Sequence, residues 1–295
     1  KMKKSPNLKI LCTFFLCVGV CLGASKESEK KDLPFITDKV VHNGTTFILQ
    51  SKHQIPIFSE HKTYAWLSHP SKDGEFIAMI PIPYRQKSNI ILYTKENEKK
   101  AKKQPIGQIA ITQKPYNQEK ISVPPNKVQY NQKIANRIES ERKESAKIYN
   151  TFTPTRYWSK PFVAPLDSVI TSAYGNARIF NGKLQSFHTG TDFRAAMNTP
   201  VPASNDGVVV LAKERYLSGN SVMIDHGEGV YSVYFHLESF KVKVGDVVKQ
   251  GQIIALSGNT GRSSGAHLHF GIVINNTIID PMDFIEKIKE VIEQK

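Results

Sequence analysis

Short runs of alternating apolar residues, each closed by turn residues, recur along this chain and limit what it can fold into. Alternation puts successive side chains on opposite faces of an extended backbone, so such runs make half-buried strands and poor helices. Between about 33 and 128 the runs are TTFILQ, YAWLS, EFIAMIPIPY, NIILYT and IGQIAIT, broken by HNG, HPSKDG and the charged KENEKKAKK. Between 166 and 279 they return as GVVVLA, SVMIDHG, YSVYFHL, IIALSG and LHFGIVI. Two stretches read differently. Residues 131–150 have helix-forming composition with a thin stripe of Ile134, Ile138 and Ile148, which predicts a surface or connecting helix. The last helix should begin at Asp280-Pro281, an N-cap followed by proline in the first turn, and bury Phe284, Ile285, Ile288, Val291 and Ile292.

The expected architecture is therefore mainly β. A small β-sandwich-like N-terminal domain over 33–128 is followed by a helical linker over 129–157. A C-terminal antiparallel β-sheet domain over 158–295 ends in an amphipathic helix. A length of 295 residues accommodates two such cores. The charged stretch at 95–103 reads as a solvated hairpin tip, and His42, His53, His61 and His69, beside turn residues and without common spacing, as surface histidines.

The net charge of +14 is unevenly placed. Residues 158–295 carry 13 basic and 13 acidic residues, whereas residues 1–157 carry 27 and 13. A basic half favours an anionic surface such as a cell wall or acidic membrane. Nucleic acid is set aside as a partner, because no zinc-finger, RNA-recognition or basic-zipper pattern is present.

The opening KMKKSPNLK is cationic and ILCTFFLCVGVCLGA is apolar, with small residues after it. That order predicts an export signal over 1–25, then a flexible segment over 26–32, and a periplasmic or envelope location. Attachment through an uncleaved signal or a lipidated Cys21 is the alternative. Cys12, Cys17 and Cys21 all lie in this segment, so a chain cut after it has no disulfide.

Five of the nine histidines lie in the second half, at 188, 226, 236, 267 and 269. In FHTGTDF, His188 stands four residues before Asp192, and either an extended or a one-turn helical path puts both on one face. Imidazole plus carboxylate suits zinc, and either His267 or His269 of GAHLHFG could be the third ligand. Three protein ligands leave a position open, which is the catalytic pattern. In YSVYFHL, alternation puts Ser232, Tyr234 and His236 on one face and Val233, Phe235 and Leu237 on the other. His236 could join the same cleft, whereas His226, in the turn IDHGEG, reads as structural.

FHTGTDFRA, TPVPASNDGVVV, VMIDHGEGVYSVYFHL, VGDVVKQGQIIALSGNTGRSSGAHLHF and IIDP follow one another in the order seen in the lysostaphin/LytM-type zinc metallopeptidases. The resemblance spans about 160–282, and the N-terminal β-domain and linking helix are similar to those of two-domain members. It implies a secreted endopeptidase, with one zinc per chain, that cuts peptide cross-links of bacterial peptidoglycan. It implies His188, Asp192 and His269 as ligands and His236 and His267 as catalytic residues. No H-E-x-x-H glutamate is present, and histidine is suited to both proton transfers of hydrolysis, in agreement with the roles the resemblance implies. Some members carry a tyrosine just before the first ligand; NGKLQSF has none, so Tyr174 and Arg178 become the candidates for lining the cleft and contacting substrate. Ser264 and Ala266 replace a usual Thr and Pro, an exchange expected to be harmless. Two other readings compete: a non-enzymatic wall binder or hydrolase activator, and a biotin- or lipoyl-type carrier. Retention of all three ligands weighs against the first, and the absence of a lysine in an E-x-M-K type of turn against the second.

Overall fold

The computed structural model describes residues 36–60, 62–95, 103–122 and 130–294. The expected export signal over 1–25, the segment 26–32, the three cysteines, His61 and residues 96–102 of the charged tip lie outside the described residues.

The N-terminal strands are β1 (Ile36–His42), β2 (Thr46–Ser51), β3 (Ile57–Phe58), β4 (Thr63–Tyr64), β5 (Leu67–Ser68), β6 (Phe76–Pro81), β7 (Ile90–Thr94), β8 (Gln104–Thr112) and β9 (Gln118–Ile121). One sheet runs β1-β8-β7-β3-β4 and a second β2-β6-β5. They enclose a core of Leu49, Ile57, Ala78, Ile80, Leu92 and Ile109. β6 is apolar on both faces for a physical reason. Its Ala78 and Ile80 face this small core, while Ile77 and Met79 face the larger core of the C-terminal half. The β2-β6-β5 sheet is thus a shared middle layer, and the described residues from 36 on form one compact unit.

After β9 comes α1 (Gln132–Tyr149), capped by the Asn131 side chain, which accepts from the Ile134 N–H. The C-terminal strands follow: β10 (Ile170–Ser172), β11 (Ala177–Phe180), β12 (Lys183–Phe187), β13 (Thr191–Arg194), β14 (Pro200–Pro202) and β15 (Gly207–Arg215). Then come β16 (Gly219–Asp225), β17 (Val230–Phe240), β18 (Val247–Val248), β19 (Ile253–Ser257), β20 (His267–Ile274) and β21 (Thr277–Ile279). The main sheet runs β10-β13-β20-β17-β16-β15-β18 with antiparallel pairing, and β14, β19 and β21 flank it. A separate small sheet, β12-β11-β9, takes one strand from the N-terminal half, β9 lying parallel to β11.

The chain ends in α2 (Pro281–Glu293), whose Asp280 cap accepts from the Met282 and Asp283 amides. Phe284, Ile288 and Val291 enter the larger core, with Ile285 and Ile292 packed at its margin, as the sequence stripe predicts. The Asp283 carboxylate accepts from the Thr46 N–H of β2 at 3.0 Å, tying the helix to the middle layer.

Residues 151–158 strap the turn after β16. Gly227 has φ +82°, and a Cβ there would lie 1.7 Å from the Thr155 carbonyl oxygen, so only glycine lets the strap close. His226 behind it is fully buried, with Nδ1 donating to the Asp206 carbonyl at 2.7 Å and Nε2 2.7 Å from Ser232 Oγ. It is a structural residue. His69 departs from the surface assignment: it is buried, and its Nδ1 accepts from the Ser71 and Lys72 amides, closing the turn before β6.

Candidate metal centre

Antiparallel pairing builds the site across three strands. Asp192 on β13 lies opposite His269 on β20, which lies opposite Phe235 on β17. Paired residues project to the same face, so these three form a row. His267, two residues before His269, shares the face. His188 arrives from the loop before β13. Gly190 lets that loop press on β20, since a Cβ there would sit 2.3 Å from the Phe270 carbonyl oxygen.

His188 Nδ1 lies 2.9 Å from the Ala173 carbonyl oxygen, which can only accept, so Nδ1 carries the proton and Nε2 offers a lone pair. Ser172 Oγ is also 2.9 Å from that Nδ1. His188 Nε2 stands 2.9 Å from Asp192 Oδ1 and 2.9 Å from His269 Nδ1, and the last two atoms are 2.8 Å apart. Three buried electron-pair donors from His188, Asp192 and His269 thus converge on one point. Bringing such atoms together in a dry site costs free energy unless a cation neutralises them. The two imidazoles and one carboxylate fit zinc, and three ligands leave one position open. The His269 ring stacks on Phe235 at 5.1 Å between centroids and 4° between planes, which fixes its orientation.

The neighbours of the cluster set its charge. Burial pushes the Asp192 carboxyl up, but the His188 and His269 imidazoles against it outweigh burial and hold it well below the usual carboxylate range. Burial pulls His269 down to about 4, the adjacent Asp192 working in the opposite direction. Arg178 Nη2 donates to Asp192 Oδ2 at 2.6 Å, which leaves Oδ1 turned toward the two imidazoles.

Two further imidazoles border the cluster. His267 Nε2 is 3.7 Å from Asp192 Oδ1, and its Nδ1 donates to the Gly265 carbonyl at 2.8 Å. His236 Nδ1 donates to the Thr260 carbonyl at 2.8 Å, and its ring lies 4.7 Å from that of His267. In the neutral form of either ring, a carbonyl partner on Nδ1 leaves Nε2 as the nitrogen with the lone pair. Burial, helped by the His267 and His269 rings, lowers His236 to about 3.

His236 reaches this face by a route that alternation does not foresee. It has φ +60°, in the left-handed region that non-glycine residues rarely occupy, and the β16–β17 register shifts beside it. Tyr234 therefore stays in the larger core and Phe235 under His269, while His236 turns back to join them at the site.

All five histidine and aspartate candidates from the sequence come together here. Arg178 also borders the cleft, with one of its nitrogens engaged by Asp192. Tyr174 does not line it. Its side chain is 1% exposed, its hydroxyl donates to the Ile278 carbonyl, and its ring packs edge-on against Tyr116 and Phe187, because the GN turn that follows folds it inward. Sequence reasoning missed Phe235, Thr260, Ser172 and the part played by α1. The face of α1 bearing Ile138, Glu141, Arg142, Ser145, Ala146 and Tyr149 walls a groove beside Phe235, so the helix is more than a connector. Its i, i+3, i+4, i+7 spacing was the available signal, hidden because those residues are of mixed polarity.

Residues 186–281 match the family model described as Peptidase family M23. The peptidoglycan DD-endopeptidase ShyA of Vibrio cholerae serotype O1 is 44% identical over 95 residues, 32% of this chain and 22% of that protein. The DD-carboxypeptidase/endopeptidase Mpg of Neisseria meningitidis serogroup B is 43% identical over 95 residues, again 32% and 22%. The chain thus spans about a fifth of the length of these curated relatives. The crystal structure of an M23-type protein from Pseudomonas aeruginosa shares the fold, with a TM-score of 0.64, 24% identity, and coverage of 82% of this chain and 94% of that one.

Proposed function

We propose that the chain, whose residues 186–281 match the Peptidase family M23 model, is a secreted zinc metalloendopeptidase that hydrolyses peptide cross-links of bacterial peptidoglycan. The observation that carries the proposal is the convergence of His188 Nε2, Asp192 Oδ1 and His269 Nδ1 within 2.9 Å, beside two imidazoles whose Nδ1 atoms lie on backbone carbonyls. Zinc bound by the three ligands would polarise the scissile carbonyl and lower the pKa of a water molecule. His236 and His267 then take the proton from the attacking water at Nε2 and return one to the leaving amine. Their Nδ1–H bonds to Thr260 and Gly265 keep that nitrogen available and steady the imidazolium that forms. Arg178 orients the ligand carboxylate through its Nη2–Oδ2 bond.

Mass spectrometry of soluble fragments released from purified peptidoglycan tests this, with Asp192→Ala as control. Cross-link peptides cut by the wild type alone support the reading; no release from either protein while the wild type binds zinc turns it toward the wall-binding or activator role. Export is supported by the cationic and then apolar first 25 residues. The basic N-terminal half would hold the enzyme on anionic wall or membrane, and its exposed Lys52, Lys87 and Lys95 give the test. Replacing all three with glutamate should weaken co-sedimentation with peptidoglycan; unchanged sedimentation would remove that role.

A further inference from the structure

A groove of about 640 Å³ opens beside the metal ligands, between the inward face of α1 and the sheet. Its apolar floor includes Phe187, Leu217, Phe235 and Ile278, and it is continuous with the site through Phe235 and Arg178. Arg215 and Arg262 also line it. Arg215 is only 6% exposed, with one nitrogen on the Glu141 backbone carbonyl and its Nε buried without a hydrogen-bond partner. Arg262 stacks its guanidinium 4.3 Å over the Phe180 ring and reaches the Tyr130 hydroxyl at 3.4 Å.

Among the described residues, neither arginine has an ion-pair partner. The groove's own acid, Glu141, is held by Arg137 and the Tyr216 amide. Buried or half-buried guanidinium groups without counter-ions are costly, and Arg262 and Arg178 also repel each other. Burial lowers the Arg262 pKa, as expected of a cation short of a partner. A planar fork of donors lining a groove with an apolar floor matches a carboxylate.

We propose that this groove is the subsite for a carboxylate-bearing arm of the substrate peptide, with Arg262 gripping the carboxylate, the buried Arg215 adding positive charge behind it, and the floor holding the aliphatic stem. The assignment rests on the peptidase reading of the adjacent centre. It makes the enzyme selective for peptides with a free carboxylate on one side of the cut bond.

The test uses the full chain and dimeric cross-linked peptides from purified peptidoglycan, with their carboxylates intact or converted to carboxamides. The wild type should cleave the intact form with kcat/KM about tenfold or more above the amidated form, the scale of one charged hydrogen-bonded pair. Arg262→Gln should erase that preference while zinc content stays at the wild-type level. Equal cleavage of both forms by the wild type, or a wild-type preference in a folded Arg262→Gln, would overturn the subsite. Calorimetry with the same peptides on chelator-treated protein separates this from the peptidase reading. Binding that needs both the carboxylate and Arg262, without cleavage after zinc is restored, keeps the subsite and rejects the hydrolase. Cleavage with binding indifferent to the carboxylate does the reverse.

Discussion

At the residue scale, the Asp192 carboxylate divides its two oxygens between Arg178 and the imidazole pair, and this division sets up the centre. Arg178→Met should weaken zinc affinity about 10- to 100-fold, measured by competition with a chromogenic chelator, because outer partners orient ligands to that extent. His236→Ala should leave zinc content intact and lower kcat by about 10²- to 10⁴-fold, the usual contribution of a positioned proton carrier. A His236→Ala enzyme within tenfold of wild type would remove that residue from proton transfer. Strand periodicity puts His267 and His269 on one face and a four-residue spacing joins His188 to Asp192, but which histidine of the pair would hold metal came only from the resemblance. The route of His236 was not. Period-two reasoning separates it from Phe235, and only a left-handed residue at a register shift brings both to one site. Tyr174 failed for a related reason, since nothing local shows that an aromatic beside a cleft motif turns into a cluster with Tyr116 and Phe187.

At the scale of elements, β17 works on both faces. Ser232 and Tyr234 join His226 in a buried hydrogen-bonded chain, while Val233 and Phe235 support the site and the foot of α1. Burial depresses the His226 pKa to about 4, against about 6.5 for an exposed histidine. The unfolded chain therefore binds a proton that the folded chain excludes. The stability this histidine contributes is complete above pH 6.5 and is lost as pH falls from there toward 4, by about 3 kcal/mol in all. Urea unfolding of wild type and His226→Gln between pH 4 and 8 should show this slope in the wild type and its reduction in the variant; parallel curves would contradict it. The last helix was legible from its Asp280 cap and apolar stripe, and α1 from its composition and a thin stripe. Asp280→Ala should cost about 1 kcal/mol through the lost cap.

At the scale of the whole molecule, the two halves are joined by a common layer. β6 supplies one face to each core, α2 packs between β2 and the main sheet, and β9 crosses over to pair with β11. The sequence shows two β-rich stretches and a helix between them, and its continuous apolar run FIAMIP was the one sign that a strand would be covered on both sides. A sandwich with polar outer faces would have alternated there. Scanning calorimetry of the full chain should therefore give one cooperative transition, and a chain lacking residues 36–122 should expose Ile288 and Phe284 and aggregate. Two resolved transitions would mean that the halves fold independently.

The central claim is that the adjacent histidines of HLH divide the labour, His269 holding metal and His267 moving protons. Calorimetric zinc titration of the full-length His267→Ala and His269→Ala variants, with peptidoglycan fragment release assayed on the same samples, tests it most directly. The expected result is one zinc bound by His267→Ala with near wild-type affinity but little release, and no tight zinc binding by His269→Ala. Tight binding by His269→Ala, or its loss in His267→Ala, would contradict the assignment.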